Sequence, residues 1–108
     1  MKMPKLLLKL DFNSHRLGPG KIALLEAIIE TGSISAAAKT MDMSYRRAWA
    51  LINELNNMFT KPCVESATGG VGGGGATVTE FGKRVIAAYC KLQRQFATAA
   101  EAEFKSLK

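Results

Sequence analysis

Ser44, Tyr45, Arg46 and Arg47 stand in succession, and Asn53 follows seven residues after Arg46. These side-chain types bond nucleic acid. A guanidinium offers a planar fork of donors that grips guanine bidentately, which a lysine ammonium cannot reproduce. A carboxamide can reach a base edge or a phosphate, and hydroxyls donate to phosphate oxygens. Taken alone, the Arg46–Arg47 pair reads as an ordinary solvated surface. Its surroundings decide whether it is more.

Ala48, Leu51, Ile52, Leu55 and Phe59 fall on one stripe of a helix running from a Ser44 cap to about Phe59. At about 100° per residue, Arg46, Ala50, Asn53 and Asn57 lie opposite that stripe, with Arg47 and Glu54 flanking. Tyr45 and Trp49 sit near the stripe edge, where packing on the core and contact with nucleic acid are both open. Upstream, Ser33 caps a short Ala-rich helix, ISAAAKTM, and Asp42 fills the turn. Residues 33–59 thus have helix-turn-helix proportions, in which the second helix enters the major groove. Ser33 would offer its hydroxyl and a helix N-terminus to a phosphate.

The remaining elements must hold this pair in place. Leu6 to Phe12 suggests a strand over residues 5–12, beside an Asn13-Ser14 turn signal. Ile22, Leu25, Ile28 and Ile29 mark a buried face on a helix over 20–31, stopped by Gly32. Beyond Pro62, CVESAT and ATVT are β-prone and flank GGVGGGG, which predicts a hairpin, or wing, over 63–79. Thr79 then caps a helix over 80–105 with Phe81, Val85, Tyr89, Leu92, Phe96 and Ala99 or Ala100 along one stripe. A domain of this size covers only part of so long a stripe, so a second subunit is expected. The fold class expected is mainly α with a small β-hairpin: a winged helix-turn-helix domain with a long C-terminal dimerisation helix.

Composition agrees. The 108 residues suit one domain, and 47% apolar content suffices for one modest core. Fifteen Lys and Arg against nine Asp and Glu leave a charge of +6, which favours a polyanionic partner. Cys63 and Cys90 form no CxxC pair, and a single His cannot complete a zinc site. Reduced thiols of a cytoplasmic protein are expected. The apolar run near the N-terminus is broken by Lys9, and no stretch approaches a membrane span. Gly70, Gly72 and Gly75 match GxGxxG formally, without the flanking strand, helix and acid of a dinucleotide site. Backbone amides of Gly69, Gly70 and Gly72 can still meet DNA phosphates, with Thr68, Lys83 and Arg84 flanking. His15 has no nucleophile at a recognisable spacing, so neither catalysis nor a metal site is expected.

The runs ETGSISAAAKTMDMSYRRAWALINELN and VESATGGVGGGGATVTEFGKRVI resemble the N-terminal domain of the molybdate-responsive ModE regulators. The likeness covers roughly residues 5–105, and GSISAAAK also resembles the LysR-type helix-turn-helix. The resemblance implies a homodimer on a palindromic operator in double-stranded DNA, with the long helix and first strand helping to form the dimer. It places Ser44 to Arg47 at the start of the recognition helix and Thr68 to Gly75 in the wing. Asp42 stands where such turns carry Gly, and Val71 where a basic residue is expected. The family's oxyanion-binding region has no counterpart up to Lys108, so no cofactor is expected, and a separate protein could bind the effector. Two rival readings stay open: a winged-helix module for protein–protein contact, and a small oxyanion-binding or redox protein using the glycine loop or cysteines.

Overall fold

The computed structural model describes residues 5–67 and 75–107. The chain opens with a tight antiparallel hairpin, β1 (Leu10–Phe12) and β2 (His15–Leu17), in which Leu10 faces Leu17 and Phe12 faces His15. Asn13 turns the corner at φ 57°, a left-handed conformation that its short amide tolerates. The expected strand over 5–12 is therefore shorter at its start. Residues 5–9 are outside β1, and the Leu8 carbonyl accepts a hydrogen bond from the Tyr89 hydroxyl at 2.7 Å instead. The partner strand β2 was not expected, because three residues reading His-Arg-Leu carry no period.

Helix α1 (Pro19–Thr31) begins with proline, whose fixed φ suits a first helical turn. It ends at Gly32, φ 75°, whose amide donates to the Ile28 carbonyl at 2.8 Å. Ile22, Leu24, Leu25 and Ile28 are buried. Ile29 is not, and corrects the expected face: it stays 49% exposed. Its angle on the wheel is right, but it lies in the last turn, on the wall of a shallow open cleft also lined by Ala76, Thr77, Val78 and Lys83.

Helices α2 (Ile34–Thr40) and α3 (Tyr45–Met58) form the helix-turn-helix. Ser33 accepts the Ala36 amide at 2.9 Å, and Ser44 accepts the Arg47 amide at 3.0 Å. Each cap satisfies a donor with no partner inside its helix. Ala37 and Ala38 are buried to the backbone, and their small side chains let α1 and α3 approach α2 closely. Asp42 holds the turn at φ 53°. Ala48, Leu51, Ile52 and Leu55 are buried as the stripe requires, and Phe59 is half-buried.

A second hairpin, β3 (Val64–Ala67) and β4 (Gly75–Val78), pairs Val64 with Val78 and Ala67 with Gly75. It is fastened to the helix-turn-helix, since the Ala76 amide donates to the Gly32 carbonyl at 3.1 Å and Ser33 bridges Gly75. Helix α4 (Glu80–Lys105) starts at a Thr79 cap and buries Gly82, Val85 and Tyr89. Its later turns project past the core, leaving Phe96 51% and Phe104 52% exposed. Phe12, Phe59 and Phe81 stack edge to face at 5.1 and 5.7 Å, tying the first hairpin to α3 and α4. The architecture is the winged helix expected, with one hairpin more than the sequence revealed.

Candidate nucleic-acid interface

The first turn of α3 carries Tyr45, Arg46 and Arg47, all exposed, directly after the exposed Ser44. One turn along, Ala50 and Asn53 continue the same open face, and Asn57 ends it. Among the described residues no carboxylate lies within ion-pair distance of Arg46. Among those residues its guanidinium has no hydrogen-bond partner either, so its donors face outward for an external one. The Asn53 side chain points into solvent, while Asn57 donates back to the Asn53 carbonyl at 2.8 Å.

The two boundary aromatics separate. Trp49 packs half-buried against the core, whereas Tyr45 stays 52% exposed with its ring edge on Trp49, centroids 6.2 Å apart. Trp49 thus buttresses Tyr45 beside the arginines. Ser33 and Ser44 both use their oxygens as caps, which leaves each hydroxyl proton free to donate to a phosphate. Ser33 is half-buried at the turn that bridges to β4, so the start of α2 and the second hairpin lie together. Thr68, Gly69, Gly70 and Gly72 lie outside the described residues. Lys83 and Arg84 are exposed in the first turns of α4, and the Lys83 ammonium lies 3.5 Å from the Glu80 carboxylate.

Two polar anchors hold α3 from behind, and neither was foreseen. The Lys21 ammonium, only 7% exposed as a residue, bonds the Glu54 carboxylate and the Arg16 carbonyl, each at 2.7 Å. One ammonium thereby joins α1, β2 and α3. Its hydrogen bond holds the Glu54 carboxyl below its ordinary pKa of 4.5 against the raising effect of burial, and the nearby charges of His15 and Arg47 add to the lowering. The second anchor is Asn56, whose side chain bonds the root of β3. A signal for it existed: Asn56 is four residues after Ile52 and three before Phe59, inside the apolar stripe. A carboxamide there must find partners. Lys21 gave no such signal, because Glu54 is distant in sequence and the Arg16 carbonyl, though near, is a backbone group whose direction only the fold sets.

Residues 20–83 match the family described as bacterial regulatory helix-turn-helix protein, lysR family. The chain is similar to the molybdenum-pterin-binding protein MopB of Rhodobacter capsulatus, 42% identical over 98 residues, 91% of this chain and 36% of that protein. It is 47% identical over 90 residues to the transcriptional regulator ModE of Yersinia pestis, 83% of this chain and 33% of that one. The DNA-binding transcriptional dual regulator ModE of Escherichia coli matches at 49% over 71 residues, 66% of this chain and 27% of that protein. The chain thus spans about a third of the length of these curated relatives, 27% to 36%. With its helix-turn-helix and both strands of its second hairpin inside the matched segment, the chain belongs to the lysR family of bacterial regulatory helix-turn-helix proteins.

Proposed function

We propose that this chain binds double-stranded DNA sequence-specifically and regulates transcription of molybdenum-related genes, with no catalytic role. One observation carries the reading: the side of α3 opposite its buried stripe is open along its length and presents Arg46 and Asn53 unencumbered. A net charge of +6 draws the protein to the duplex, and the arginine fork and carboxamide supply base readout. Ser33, Ser44, Tyr45 and Arg47 surround them for phosphate contact, and Thr68, Gly69, Gly70 and Gly72 of the wing are assigned further phosphate contacts by their residue types alone. The names of the relatives support the molybdenum connection. DNA contact of this kind needs no cofactor. A cytoplasmic location follows from such a role, and no helix described is long and apolar enough to cross a membrane. Any oxyanion effector would be sensed by a region or partner other than these surfaces.

The active form in this reading is a homodimer on a palindromic site. Leu6, Leu8, Phe96, Ala99, Ala100 and Phe104 line an open, apolar groove along α4 that a second copy would cover. Half-sites then lie about one helical turn apart, ~34–36 Å. Sedimentation tests this: Phe96→Asp should shift the chain toward monomer, and an unchanged mass would refute it.

Selection of bound sequences from random DNA, with and without molybdate, tests the DNA reading. Arg46→Ala should weaken binding to the selected site by ~1–3 kcal/mol and relax base preference at one position. An equal loss on random DNA would assign Arg46 to phosphate contact. Binding that ignores salt, against a slope of about −0.9 per phosphate contact, would favour a protein–protein module instead.

A further inference from the structure

The Asn56 carboxamide bonds the chain at the entry to β3 through both of its ends. Its oxygen accepts the Cys63 amide at 2.8 Å and the Val64 amide at 3.1 Å, and its nitrogen donates to the Val64 carbonyl at 3.1 Å. The amide and carbonyl of Val64 are therefore answered as a neighbouring strand would answer them. The ladder explains why they are free. In an antiparallel pair, bonded and non-bonded residue pairs alternate. The Thr79 amide donates to the Cys63 carbonyl at 2.9 Å, so Val64, paired in register with Val78, turns its polar groups outward. Asn56 covers that outer edge. The opposite edge of the hairpin is held where the Ala76 amide meets the Gly32 carbonyl and Ser33 bridges Gly75. One edge is thus bonded to the recognition helix and the other to the start of α2.

We infer that Asn56 is a positioning residue for DNA recognition: it sets where the second hairpin stands relative to the reading face of α3, without touching DNA itself. This assignment rests on the DNA-binding reading above. Asn53 faces outward three residues earlier on the same helix, so a single helical turn carries a reading group and the fastening of the wing. The hairpin then inherits the placement of α3, and phosphate contacts from the wing keep register with base contacts from the helix.

Asn56→Asp tests this with little change in shape. The carboxylate can still accept from Cys63 and Val64 but has no donor for the Val64 carbonyl, which then faces a negative oxygen. DNA affinity of the full chain is compared with and without that substitution in two backgrounds, one intact and one lacking residues 70–74, which keeps a two-residue connection between the paired Ala67 and Gly75. In the intact background Asn56→Asp should weaken binding roughly tenfold, the scale of one lost charge-assisted phosphate contact. In the shortened background it should change affinity less than about twofold, because the element it positions no longer reaches DNA. Equal losses in both backgrounds overturn the inference. So does a lowered melting temperature with unchanged affinity where the variant is folded. Should the aspartate variant not fold, Asn56→Gln, which keeps the amide but displaces it by one methylene, is put through the same comparison and judged by the same outcomes. Binding by the unsubstituted chain is the control for the DNA reading, so failure of that reading is seen separately.

Discussion

Replacing Lys21 by Met removes one charge and keeps most of the buried stem volume. Two bonds are lost, to Glu54 and to the Arg16 carbonyl, each 2.7 Å long. A hydrogen bond to a charged group contributes about 1.5–3 kcal/mol, and breaking a fully buried ion pair costs about 3–5 kcal/mol. The upper figure does not apply here. The Glu54 side chain is 35% exposed, so water can replace its lost partner and screens the pair. Methionine also suits a position that is only 7% exposed better than an ammonium group does. The expected loss is therefore about 1–3 kcal/mol near neutral pH. Its pH dependence identifies the cause. The folded-state pKa of Glu54 lies below its ordinary 4.5, chiefly through the Lys21 hydrogen bond. Stability from that pair is complete above the unfolded value and disappears as pH falls through the folded one. Urea unfolding of both proteins, from neutral pH down through the carboxylate range, should show the difference shrinking toward acid. A residue should remain from the Arg16 carbonyl bond, which does not depend on Glu54. His15, 3.8 Å from the same carboxylate oxygen, is present in both proteins. A difference that stays constant with pH, or no loss at neutral pH, would show that Lys21 is held by its stem and not by the ion pair.

Two further outcomes follow from the packing around the second hairpin. Gly82→Ala should destabilise the fold by about 1–3 kcal/mol, although alanine normally favours a helix interior. A methyl there would stand 2.5 Å from the Cys63 carbonyl oxygen and 2.7 Å from Val78 Cγ1, and the backbone oxygen has no rotamer by which to yield. Thermal melting decides the sign. The Cys63 thiol is buried, which pushes its pKa up to about 11, whereas Cys90 is half-buried on α4. Iodoacetamide at mildly alkaline pH should therefore label Cys90 and spare Cys63 until the protein unfolds. Mass spectrometry of the native chain checks this, and early labelling of Cys63 would refute the packing.

What the sequence determined by itself is the helical skeleton and its caps. Ser33, Ser44 and Thr79 each satisfy a donor three residues ahead, and Gly32 and Asp42 mark their turns, because these effects depend on neighbours along the chain. The open face of α3 was legible for the same reason, since a period of 3.6 places Arg46 and Asn53 opposite Leu51 and Leu55. The three-residue strand β2 was invisible, because a strand that short owes its existence to its partner. The exposure of Ile29 was hidden too, since a wheel gives an angle and not the reach of the neighbouring helix. Only the tertiary structure decided how α3 is held. Lys21 finds Glu54 and the Arg16 carbonyl, and Asn56 finds Cys63 and Val64, through bonds between segments that folding alone brings together. Polar groups leaving water must be answered by whatever the fold places within about 3 Å, and no local pattern encodes which groups those will be.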